Sequence, residues 1–108
     1  MRAVALFACI AVASGVPAAF GQEAGDVEAG HAFARSLCAA CHAVEAGAAQ
    51  SPNPGAPTFT RIAAEPGMTG TALSVILRNP HLEMPDIILS AKERSDVIAY
   101  MLTLKTDD

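Results

Sequence analysis

Hydrophobic residues in this chain fall into one unpatterned run and several patterned ones. From Ala3 to Phe20 no charged residue occurs and no period is visible. From Asp26 to about His42, in contrast, Val27, Phe33, Ala34, Leu37, Cys38 and Cys41 recur at spacings of three and four, which predicts one face of a helix with Asp26 as its N-cap. Gly30 lies inside that helix, where glycine costs about 1 kcal/mol relative to alanine. Its presence predicts that another element approaches closely there, the alternative being a tolerated defect.

Residues 47–57, Gly-Ala-Ala-Gln-Ser-Pro-Asn-Pro-Gly-Ala-Pro, are rich in helix and strand breakers and predict a loop. Phe59, Ile62 and Ala63 predict a short helical turn closed by Pro66-Gly67. A further helix is expected from about Thr71 to Asn79, with Leu73, Ile76 and Leu77 on one face and Pro80 ending it. After the extended stretch His81-Leu82-Glu83-Met84-Pro85, the run Ser90-Ala91-Lys92-Glu93 has the form of a capping box. The helix it opens should continue to about Lys105. Val97, Tyr100, Met101 and Leu104 form its apolar stripe, widened by Ile98 and Leu102. No strand pattern, internal repeat or second domain is visible, so the expected fold class is all-α, helices joined by loops.

The ends and the composition change this picture in two ways. With 108 residues, no Trp, one Tyr and four Phe, the chain forms a single domain short of large core side chains, and a bound cofactor would complete the core. The start Met1-Arg2 followed by the uncharged run reads as a secretory signal, with Ala19-Phe20-Gly21 as the cleavage site. Residues 1–21 are then a signal peptide and residues 22–108 the mature domain. An uncleaved membrane anchor, or a lipid-modified Cys9, are the competing readings of this end. Cleavage removes Cys9 and Arg2, leaving six basic residues against eleven acidic ones and a formal net charge of −5. No run of Lys or Arg exists, which argues against nucleic acid as a partner. A protein with a basic docking patch fits better.

Two of the three cysteines and one of the three histidines lie within Cys38-Ala39-Ala40-Cys41-His42. On a helix, positions i, i+3 and i+4 share a face, so all three side chains are expected to point at one object. Two cysteines three apart on a helix are poorly placed for a disulfide. A thioredoxin-like motif needs a preceding strand, and a zinc site needs a second ligand pair; neither is visible. The remaining chemistry is thioether attachment of a haem through Cys38 and Cys41, with His42 as an iron ligand. An imidazole that binds iron through one nitrogen needs an acceptor for its other N–H. The carbonyl of Pro57, in the loop Pro54-Gly55-Ala56-Pro57, is the candidate.

Over nearly all of the mature sequence, the chain resembles the small bacterial class I cytochromes c. The resemblance rests on Gly30 and Phe33, the Cys38–His42 motif, Pro57, Met84-Pro85, and Asp96-Val97-Ile98-Ala99-Tyr100. It implies three to four helices packed round one covalent haem c, with the first and last helices crossing where Gly30 meets the region of Tyr100. It also implies Met84 as the sixth iron ligand, with His81 as a competitor that would lower the potential. Met68 and Met101 are poorer candidates. His31 is read as solvent-facing and without a role. Iron ligated by protein on both faces leaves no position for a substrate, so the implied function is not catalysis but single-electron transport in the periplasm, as part of a respiratory chain, between redox proteins. A haem subunit of a periplasmic dehydrogenase or oxidase is the alternative, and a gas or peroxide site, should Met84 be labile, a further one.

Overall fold

The computed structural model describes residues 8–15, 24–79, 83–85 and 87–106. Within these, four α-helices occur in the order α1 (Val27–Phe33), α2 (Phe59–Ala64), α3 (Gly70–Arg78) and α4 (Ala91–Thr103), and there is no strand. The fold is all-α. Each helix starts at a side chain that accepts from an otherwise unpaired amide of the first turn. Asp26 accepts from Ala29, Thr58 from Arg61, Thr69 from Ala72 and Ser90 from Glu93. At Ser90 the cap is reciprocal, since the Glu93 carboxylate also accepts from the Ser90 N–H at 2.8 Å. Among the described residues no helix is long and apolar enough to cross a membrane.

The first helix departs from the expected one. Regular winding stops at Phe33, and Ala34–Cys38 form a π turn in which the Ala39 N–H donates to the Ala34 carbonyl at 3.0 Å. A π turn adds one residue to the turn, so the side chains after it are rotated relative to a straight α-helix. Leu37 is 43% exposed and lies on the wall of the cavity that also holds Cys38, and Val27, before the π turn, is 44% exposed. A spacing of three and four carries no sign of such an extra residue.

The core sits between α1 and α4. Ala34, Val97, Tyr100 and Met101 are buried there, with Leu73 from α3 and Ala63 from α2. Among the described residues only Leu73 and Val97 are large side chains that are fully buried. The helices cross at glycines: a Cβ on Gly30 would stand 1.9 Å from the Asp96 carbonyl oxygen, and one on Gly25 would stand 1.9 Å from that of Ser95. The expected crossing at Gly30 is present. Its closest point is Asp96, one turn before Tyr100, and Tyr100 packs instead on His31.

Asp96 is only 6% exposed and closes the crossing electrostatically. Its carboxylate accepts from the Asp26 N–H at 2.8 Å and from Lys92 Nζ at 2.6 Å. These two donors, Lys92 first, hold its carboxyl below the ordinary aspartate range. One side chain of α4 thus ties down the start of α1.

Candidate functional site

After the π turn the chain continues through one more tight turn, in which the N–H groups of Cys41 and His42 both donate to the Cys38 carbonyl, at 3.2 and 2.9 Å. This turn brings Cys38, Cys41 and His42 to the wall of one cavity of 470 Å³, within the range of about 300–1,000 Å³ typical of small-molecule and cofactor sites. Apolar side chains from several elements complete it, among them Phe33 before the π turn, Phe59 from α2, Leu73 from α3 and Met101 from α4. The two thiols are free. Burial pushes the Cys38 thiol above its ordinary value, which keeps it in the protonated form at neutral pH.

His42 is oriented by its surroundings. Its Nδ1 lies 2.7 Å from the Pro57 carbonyl oxygen. A carbonyl only accepts, so Nδ1 carries the proton and donates, and in the neutral ring Nε2 keeps its lone pair. Phe59, buried at the start of α2, tilts against the imidazole with centroids 5.6 Å apart and planes at 51°. The peptide around His42 is fixed on every side. Asn53 N–H donates to the Cys41 carbonyl at 3.1 Å, Ser51 Oγ accepts from Ala43 at 3.0 Å, Phe59 N–H donates to the Ala43 carbonyl at 2.9 Å, and Tyr100 Oη donates to the Val44 carbonyl at 2.5 Å. The breaker-rich segment between residues 47 and 57 is irregular, with Gly47 at φ +73°, and it serves as the clamp for this histidine.

Met84 is half-buried and lines the same cavity. Met68 and Met101 line it as well. His81 and Pro80 lie outside the described residues, as does the expected cleavage point at Gly21. Among the described residues no group of three or more His, Cys, Asp or Glu could hold a metal by itself. The donors on this apolar cavity are two thiols and an imidazole whose Nδ1 is committed to Pro57, which is the chemistry a porphyrin attached through sulfur requires.

The family model described as cytochrome c oxidase, cbb3-type, subunit III matches residues 25–101. Cytochrome c-552 of Bradyrhizobium diazoefficiens is 34% identical over 96 residues, which cover 89% of this chain and 88% of that protein. The chain belongs to this family of small class I c-type cytochromes. No solved structure matches it. The cofactor of such a cytochrome is a covalently bound haem c, for which Cys38-Ala39-Ala40-Cys41-His42 is the attachment motif. Its work is electron transfer with redox proteins as partners.

The cavity of this cytochrome fits the group. Its wall is mostly hydrocarbon, it interrupts a core with few large side chains, and its sulfur and nitrogen donors come from a single turn. Several residues of the site carry no local signal in the sequence. Phe59 against His42, Ser51 on Ala43 and Tyr100 on Val44 are set by contacts 8 to 56 residues apart.

Proposed function

We propose that this cytochrome is a periplasmic carrier of single electrons, exported through a signal peptide removed after Gly21. Cys38 and Cys41 would supply the thioethers that hold the haem, His42 Nε2 and Met84 Sδ would be its iron ligands, and the Pro57 carbonyl holds the His42 ring. When bound, the haem supplies a one-electron couple. The residues of the chain exclude water, fix the His42 tautomer and leave no open position for a substrate, so the protein acts as no enzyme of its own. The observation that carries this reading is the convergence of Cys38, Cys41, His42 and Met84 on one apolar cavity. The net charge of −5 after cleavage supports docking to partners with a basic face.

Replacing Met84 with Ala tests the assignment of this thioether as a ligand. The oxidised wild type should show the weak near-red band of sulfur-ligated ferric haem, and the variant should lose it. A variant spectrum identical to wild type removes Met84 from the site and returns His81 as the ligand. The intact mass of the exported protein, equal to residues 22–108 plus one haem, tests cleavage and attachment together.

A second reading has support from the family description, which names an oxidase subunit. In that reading the same haem serves a dehydrogenase or oxidase complex. A free carrier purifies alone, whereas a subunit co-purifies with its enzyme.

A further inference from the structure

Beside the haem cavity the chain forms a second, smaller hollow of 210 Å³. Ile76 and Leu77 from α3, Met84 from the loop and Leu89 before α4 line it, and all four also line the haem cavity. These shared side chains are the partition between the two spaces. Ile88 lines the hollow alone and is 95% exposed, more than any other large apolar side chain described between residues 24 and 106. It holds apolar surface in water that contact with a partner would remove. Two arginines complete the lining, Arg78 from the last turn of α3 and Arg94 from α4.

The charge there runs against that of the chain. Residues 22–108 hold six basic side chains against eleven acidic ones, and two of the six meet at this hollow. Lys92 is paired with Asp96 at 2.6 Å, and Lys105 donates to the Met68 carbonyl at 2.6 Å, so both are committed elsewhere. Among the described residues, which do not include Asp86, neither Arg78 nor Arg94 has a carboxylate within ion-pair distance. The nearby carboxylates that are described have other places. Glu93 accepts from the Ser90 N–H at 2.8 Å. Glu83 lines the haem cavity, its Oε2 3.7 Å from where a Cβ on Gly55 would stand.

We infer that this hollow is the docking site of a redox protein that presents carboxylates around an apolar patch. The inference rests on the reading of the neighbouring cavity as the haem site. Guanidinium groups pair with carboxylates in a planar fork, and protein interfaces set an apolar centre inside a polar rim. The hollow takes the partner's apolar patch, with Ile88 as first contact, while Arg78 and Arg94 fix its orientation. Over the rest of the surface the excess of acidic residues repels the same partner, which suppresses other placements. A basic-faced partner, favoured by the overall charge, is directed to a different face, so the donor and acceptor of this carrier are told apart by the sign of their charge. An anionic bilayer fits less well, because a flat surface does not enter a hollow and also spreads over the acidic surface around it.

The experiment mixes the haem-loaded, oxidised protein with reduced rubredoxin, a small acidic iron protein, as the probe. One electron leaves the rubredoxin iron and reduces the haem iron, with no bond made or broken, and the optical spectrum gives the rate at rising salt. Neutral hydroquinone is the control reductant. Two molecules of net negative charge react faster as salt screens their repulsion. Docking at the hollow gives the opposite result, a wild-type rate that falls with salt. Arg78→Gln combined with Arg94→Gln should slow the reaction about tenfold at low salt, the low end of electrostatic steering, and reverse the salt dependence. Ile88→Ser should slow it at every salt concentration. None of the three residues lines the haem cavity, so the rate with hydroquinone should stay as in wild type. A wild-type rate that rises with salt, variants that keep the wild-type rate, or a loss shared with hydroquinone overturns the proposal. Binding to phosphatidylglycerol vesicles that the two arginine changes abolish also overturns it and gives the hollow to a lipid surface. Failure of the haem reading is distinct, since protein that dithionite cannot reduce has no couple for either reductant to reach.

Discussion

The α1–α4 crossing and the cavity beside it are built on opposite terms. At the crossing the chain supplies every contact itself: glycines at 25 and 30 leave no space for a Cβ, Val97 is 1% exposed, and the Asp96 carboxylate is satisfied by a backbone amide and an ammonium. At the cavity, Phe33, Ile62, Leu77 and Met101 present apolar surface to a space of 470 Å³ of the size a cofactor takes. Interiors of folded proteins are otherwise packed almost without voids. The difference teaches that the haem of this cytochrome is part of its core as well as its redox centre. The crossing should form on its own terms, and the cavity wall should depend on the cofactor.

The strongest way to break that comparison is to remove both thiols. Cys38→Ala with Cys41→Ala should abolish covalent haem entirely, read as an intact mass equal to the polypeptide alone. Amides of α3 and of residues 43–57 should then exchange with solvent far faster than those of α1 and α4. Equal loss of protection at the crossing would show that the two regions are one cooperative unit.

A smaller effect is expected from Gly30→Ala, which puts a methyl group against the backbone of α4 rather than against a side chain that could move. Overpacking of that kind should cost about 3 kcal/mol in a urea titration. A change below about 0.5 kcal/mol, the range of ordinary surface substitutions, would mean that the helices can separate without penalty.

Asp96→Asn sharpens the comparison most gently. The carboxyl is held below its unfolded value, so its contribution is fully present above about pH 4 and is lost as pH falls through the lower folded value. The melting temperature of the variant should lie below that of wild type at pH 7, and the gap should narrow steadily under acid. A gap that is constant with pH would assign the loss to shape rather than charge.

How much of this could be read from the chain depends on the range of each interaction. Ser90 and Glu93 announce α4 because a capping box is local, and Leu73, Ile76 and Leu77 announce α3 by spacing. Cys38, Cys41 and His42 are legible because the chemistry that needs them also fixes their separation. The contact of His42 with Pro57 follows from the demand of a ligand imidazole for an acceptor, and the structure has it at 2.7 Å. What escapes is set across the fold. Gly25 lies before α1, so no helical pattern marks it, yet it meets Ser95 as closely as Gly30 meets Asp96. His31 reads as a surface residue until folding brings Glu45 and Tyr100 to it. The π turn at Ala34–Cys38 escapes for another reason, since one surplus residue shifts a three-and-four spacing too little to be seen.

That surplus residue has a consequence for kinship and for engineering. A π turn closes its hydrogen bond over one residue more than an α turn, so the stretch between Gly30 and Cys38 carries one residue beyond what an even α-helix would need to keep its winding. A sister chain wound evenly over the same rod needs one letter fewer between its crossing glycine and its first thiol. Alignments that forbid a gap at residues 34–38 will misplace one anchor or the other, and deletion of a single residue there should restore even α winding.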